Sequence, residues 1–217
     1  MKLSLKGVRR AVIVAPHPDD EIIGAACLIH ALRRRGSDVA VIVVSDGAAS
    51  HPNSPTWPAD RLTSARARES LRALLRLGIT RDAVTFLRLP DGGLSVRRDG
   101  CRKTLHRALR RHRAMDLLVG PAGSDAHPDH RAVATALRQF RFGGRRLTYQ
   151  VWPPRRRGDA RVRTVSLIGS ASAKRSLISL HRTQLGMIAD DPDGFSIARH
   201  ELAVFAHPVE RFIEARR

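Results

Sequence analysis

The chain has 217 residues, enough for one domain with a substantial core, and its 42% hydrophobic content is ordinary for a globular protein. No stretch approaches the roughly 18–20 apolar residues of a membrane span, and no signal-type apolar segment precedes the first predicted strand. The formal net charge of +19 is almost all arginine, yet aromatics are only 4% and do not interleave with the basic runs, so a nucleic-acid stacking platform is not expected.

The first predicted element is an apolar run, Ala11 to Ala15, stopped by Pro16 and Pro18 and followed at once by His17, Asp19, Asp20 and Glu21. A short β-branched run feeding a longer periodic segment predicts a buried parallel strand and then a helix. That helix is expected over 22–35, with Ile22, Ala25, Ala26, Ile29 and Leu32 on one face and Gly36 as its cap. A second strand is expected over 39–44, ending at Ser45-Asp46-Gly47. Residues 47–61, with three prolines and a tryptophan, read as a long loop, a type that is often functional.

A second helix follows over 62–77, then a third strand over 84–89 ending in the turn Pro90-Asp91-Gly92-Gly93. A basic helix is expected over 101–112, a fourth strand over 116–120 and a helix over about 131–140. Beyond Gly143 the pattern weakens: strands are expected over 147–152 and 163–168 with a basic loop at 153–158 between them, and a helix over 171–188. The tail from Asp190 has no clear pattern. The alternation predicts an α/β, Rossmann-like, doubly wound and mostly parallel sheet with helices on both faces. One domain over 1–217 is expected, its core at 8–140. Cys27 and Cys101 form no CxxC pair, so two reduced, buried thiols and a cytoplasmic location are expected.

Two polar clusters close the first and fourth strands: His17/Asp19/Asp20 and His127/Asp129/His130. Parallel topology brings both to one sheet edge, where ligands collect in such folds. Together they supply three imidazoles and at least three carboxylates. A hydrolytic zinc needs three ligands of this type and one position open to water. His17 and Asp20, three apart where strand turns into helix, can share an ion, and one imidazole of the second cluster completes the set. A spare carboxylate can serve as general base and a spare imidazole as oxyanion partner, an inventory that suits amide hydrolysis.

Pro16-His-Pro-Asp-Asp-Glu21 together with His127-Pro-Asp-His130 resembles the paired signature of the LmbE-like (PIG-L) family of zinc-dependent N-deacetylases, with Pro16 where the family usually has alanine. The resemblance implies zinc bound by His17, Asp20 and His130, with Asp19 as general base. It implies an electrostatic or acid role for His127, oriented by Asp129. Looser likenesses at Arg66-Ala-Arg-Glu69, Leu89-Pro-Asp-Gly92 and His181-Arg-Thr-Gln184 make Arg66, Asp91 and His181 candidate substrate contacts. Asp46, Asp91 and Asp125 also read as turn formers.

The expected activity is removal of acetyl from an N-acetylated amino sugar or related conjugate, a small substrate that is anionic or sugar-linked. Two histidines and a carboxylate suit iron(II) as well as zinc. Alternatives are hydrolysis of another amide or a carbamoyl bond, or a basic anion- or nucleic-acid-binding protein on the same scaffold. The expected specificity loops are 47–61, 91–100 and 153–160. Nothing in the sequence sets the oligomeric state or the substrate.

Overall fold

Arg10–Ala15 forms β1, buried along all but its first residue, as expected of a strand covered on both faces. Its side chains alternate between two cores. Ala11, Ile13 and Ala15 join the cluster that includes Ile22, Leu28 and Leu74, while Val12 and Val14 join Leu105, Leu109 and Val133. Each fully buried Ile or Leu contributes about 1.5–3 kcal/mol of transfer free energy. The computed structural model describes residues 1–153 and 163–214; most of the basic 153–160 loop lies outside the described residues.

The other strands are β2 (Asp38–Ser45), β3 (Val84–Leu89), β4 (Leu117–Pro121), β5 (Arg145–Tyr149), β6 (Thr164–Ile168) and β7 (Val209–Glu214). They form one seven-stranded sheet in the order β3-β2-β1-β4-β5-β7-β6. Every neighbouring pair is parallel except those made by β7, which runs against β5 and β6. The helices α1 (Asp20–Arg34), α2 (Ala59–Arg76), α5 (Ala171–Ile178) and α6 (Arg199–Phe205) supply residues to the first core. The helices α3 (Arg98–Leu109) and α4 (Pro128–Gln139) supply the second. The doubly wound expectation holds.

Strand order positions the site. The chain steps from β1 outward to β2 and β3, then crosses back to lay β4 on the other flank of β1. The winding therefore reverses between β1 and β4, and the crevice beyond their carboxyl ends is the favoured ligand position in such folds. The start of α1 is held close to the sheet there. A Cβ on Gly24 would lie 2.3 Å from the Tyr149 ring, whose hydroxyl donates to the Val14 carbonyl (2.9 Å).

Several expectations needed correction. The helix predicted over 171–188 ends at Ile178, and a 3₁₀ turn at Arg182–Gln184 replaces its second half. Thr183 and Gln184 are instead drawn to Glu69 and Ser50: Thr183 Oγ1 donates to Glu69 Oε2 (2.6 Å) and Gln184 Nε2 to Ser50 Oγ (3.3 Å). The helix predicted from 131 begins at Pro128, so the second polar motif sits on its first turn. The helix predicted from 62 begins at Ala59, and the strand predicted over 147–152 is Arg145–Tyr149. The unassigned tail contains α6 and β7.

Candidate metal centre and active site

The two polar motifs meet. His17 and Asp20 come from the β1–α1 junction, and His130 comes from the first turn of α4. His17 Nδ1 lies 3.2 Å from Asp20 Oδ2 and 3.2 Å from His130 Nε2, and His130 Nε2 lies 3.1 Å from Asp20 Oδ2. Tetrahedral bonds of about 2.0–2.1 Å set donor separations of about 3.3 Å, so this triangle has the size to hold one zinc-like cation. The donor chemistry fits as well: two imidazole nitrogens facing each other beside a carboxylate need a shared proton or a cation between them. His17, His127 and His130 also bring one ring nitrogen each within 4.8 Å of one another, as do the donor atoms of His17, Asp91 and Asp129.

A carboxylate stands behind each of the two imidazoles. Asp91 Oδ1 is 3.0 Å from His17 Nε2, and Asp125 Oδ2 is 3.2 Å from His130 Nδ1, both approaching too obliquely for a straight hydrogen bond. Asp91 reaches its place past an irregularity in β3, where Arg88 takes a left-handed φ of 52° and the register against β2 shifts. Burial depresses the His17 imidazole, but contacts with Asp129, Asp20 and Asp91 outweigh it and hold its pKa well above the usual value. His130 behaves likewise, lifted to about 9 by Asp20 and Asp125 against burial. Asp20 is held well below the carboxylate range: burial raises it, and the two imidazoles overcome that.

Asp19 is 6% exposed and lines the cavity beside this triangle. Burial lifts its carboxyl to about 7, Arg66 opposing and Asp20 adding to the rise. Arg66 Nη2 donates to Asp19 Oδ2 (3.1 Å) and to the Pro18 carbonyl (3.2 Å), and Nη1 donates to the Gly47 carbonyl (2.9 Å). Its terminal nitrogens thus brace the Asp19 loop. His127 is the N-cap of α4, and its Nδ1 accepts from the Asp129 backbone N–H (3.2 Å). The contact to His127 thus comes from the Asp129 backbone amide, while the Asp129 carboxylate accepts from Ser95 N–H (3.1 Å) and faces His17 Nε2 at 3.8 Å. Burial and the neighbouring imidazoles lower the His127 pKa. With Nδ1 accepting, the neutral ring carries its proton on Nε2.

These groups open on a cavity of about 650 Å³. His17, Asp19, Asp20, Arg66, Asp91 and His127 line its polar side, and Ile23, Val151, Trp152, Phe195 and Ile197 its apolar side. His181 is not among the lining residues. It lies buried at 1% exposure with neither ring nitrogen partnered among the described residues, and burial, with Arg66 nearby, takes its pKa down to about 3. Asp46 acts as a turn former, accepting from Ala48 N–H (3.0 Å) and Asp91 N–H (3.2 Å). The sequence reading gave Asp125 only as a turn former and Glu69 only as the end of the Arg66–Glu69 segment. Their further partners come from elsewhere in the chain: the Glu69 carboxylate latches α2 to Thr183, and Asp125 accepts from the N–H groups of Val151 and Trp152.

The sheet order and the winding reversal define a doubly wound α/β fold, with a His–Asp–His triangle that could hold a metal ion at the reversal. A family model described as PIG-L, GlcNAc-PI de-N-acetylase, matches residues 12–140, more than half of the chain, and the protein belongs to that family. Comparison with curated proteins yields no match. Among solved structures, the chain is similar to N,N'-diacetylchitobiose deacetylase from Pyrococcus horikoshii, at 21% identity over 83% of this chain and 72% of that one, with a TM-score of 0.68. It is similar to the A40926 pseudoaglycone deacetylase Dbv21 at 18% identity over 96% and 98%, with a TM-score of 0.67. It is also similar to GalB, a 4-carboxy-2-hydroxymuconate hydratase from Pseudomonas putida KT2440, at 14% identity over 96% and 97%, with a TM-score of 0.65. At these identities the likeness shows the fold, and the site must carry the argument for chemistry.

Proposed function

We propose that the protein is a zinc-dependent N-deacetylase acting on an N-acetylated amino sugar or related conjugate, with His17, Asp20 and His130 as metal ligands. The observation that carries this reading is the set of three donor atoms 3.1–3.2 Å apart beside the cavity. Iron(II) suits the same ligands. A zinc ion held there lowers the pKa of a bound water to about 7 and polarises an amide carbonyl.

The chain's own groups do the rest. Asp19 takes the proton of the attacking water; with Arg66 on Oδ2, its other oxygen serves as the base. His127 directs its Nε2–H at the oxygen of the tetrahedral intermediate, where a preorganised donor is worth about 2.7–4 kcal/mol. The proton gained by Asp19 then passes to the leaving nitrogen, releasing amine and acetate. Asp91 and Arg66 line the cavity, and its apolar side, which includes Trp152 and Phe195, receives the ring or acyl portion of the substrate. The buried thiols of Cys27 and Cys101 support a cytoplasmic location. Among the described residues, no helix is long and apolar enough to cross a membrane.

The test is metal analysis of the purified chain coupled to an amine-release screen over N-acetylated glucosamine derivatives. Release of amine and acetate that is lost on chelation and restored by zinc is expected. Zinc-loaded protein that cleaves none of them would remove the amino-sugar assignment.

A further inference from the structure

We infer that Asp125 is a positioning residue that fixes the His130 ring for metal ligation and ties it to the wall of the substrate cavity, an inference that rests on the metal centre proposed above. Asp125 is 1% exposed. Its Oδ1 accepts from the His127 backbone N–H (3.0 Å), and its Oδ2 accepts from the N–H groups of Val151 (2.8 Å) and Trp152 (3.0 Å). The same Oδ2 stands 3.2 Å from His130 Nδ1. A turn-forming aspartate needs only the first of these contacts, a side-chain oxygen meeting the amide two residues on. The other three reach into α4 and into the segment after β5.

An ionised carboxylate can only accept, so its position determines where the proton of a neutral His130 lies. Three backbone N–H donors favour the ionised form. Nδ1 keeps the hydrogen beside Asp125, and Nε2 turns its lone pair toward His17 Nδ1 and Asp20 Oδ2. A carboxylate behind a ligating imidazole raises its basicity and holds its orientation. Because the same oxygen anchors the backbone of Val151 and Trp152, whose side chains line the cavity, one group sets both the ligand's angle and the wall's position.

The test uses the purified full chain and zinc titrated against a chromophoric chelator, the wild type first. In Asp125→Asn, whichever way the amide sits, an NH₂ group faces N–H donors. Zinc affinity should fall about 10–100-fold. Gln150→Ala is the control, since Gln150 Nε2 donates to the Trp152 carbonyl (2.9 Å) and its loss loosens the same wall without touching His130. Its zinc affinity should match wild type. Wild-type affinity in Asp125→Asn, or equal weakening in Gln150→Ala, overturns the inference while leaving the metal centre intact. A wild type that binds no zinc instead sinks the metal centre and the inference together. If Asp125→Asn does not fold, ¹⁵N NMR of the zinc-loaded wild type decides: a protonated Nδ1 with zinc on Nε2 of His130 is expected, and zinc on Nδ1 overturns it.

Discussion

His17 Nδ1 and His130 Nε2 face each other at 3.2 Å although 113 residues separate them along the chain. Asp20 Oδ2 closes the triangle. If these atoms ligate one ion, Asp20→Ala and His130→Ala should each weaken zinc binding by roughly 100-fold or more, beyond the 10–100-fold typical of groups behind a ligand. Chelator competition measures this, and near-wild-type affinity in either variant would exclude that residue from the ligand set.

Asp19 adjoins the triangle without belonging to it. Asp19→Ala should therefore retain zinc while turnover falls by about 10²–10⁴-fold, the usual contribution of a general base. Amine release and zinc content, measured on the same preparation, check this. Unchanged turnover would remove Asp19 from the mechanism.

Proton linkage predicts how the metal-free protein responds to pH. His130 is lifted to about 9 in the fold, against about 6.5 unfolded. A raised folded value stabilises below the unfolded pKa, and the contribution is lost as pH rises through the folded one. Glu21 acts in the same sense: burial lifts it to about 8 while Ser70 Oγ donates to its Oε1 (2.6 Å). The Tm of chelator-stripped protein should thus decline between pH 6.5 and 9. Zinc affinity should rise over the same range as protons stop competing for the imidazoles. A metal-free Tm that climbs across this window would contradict the assignment.

Packing at the start of α1 gives a prediction about stability. A Cβ on Gly24 would meet the fully buried Tyr149 ring at 2.3 Å. Gly24→Ala should cost about 1–3 kcal/mol, the usual penalty of overpacking, and lower Tm by about 3–10 °C for a chain of this size. Thermal unfolding tests it, and a wild-type Tm would mean the ring moves aside freely.

The first four strands and their helices were legible because their apolar runs and helical periods are strong and local. The convergence of the two polar clusters followed from parallel topology, while the choice of His130 as the partner of His17 came from the resemblance of the two motifs to the family signature. The tail was not legible, and β7 shows why. Its Glu210 faces inward and breaks the strand's alternation. The carboxylate is satisfied by Lys174 Nζ (2.8 Å) and by the backbone N–H groups of Cys27 and Leu28 (2.9 Å each), partners no local pattern reveals. Asp125 was hidden in the same way. Beside a Pro–Ala–Gly–Ser stretch it reads as a turn residue, and its bonds to Val151 and Trp152 exist only in the folded chain.

X-ray absorption at the zinc edge tests the central claim most directly. One zinc per chain, bound by nitrogen and oxygen at about 2.0–2.1 Å with two imidazoles in its shell, is the predicted result. Sulfur at about 2.3 Å, or a chain that retains no zinc after stoichiometric loading, would contradict it.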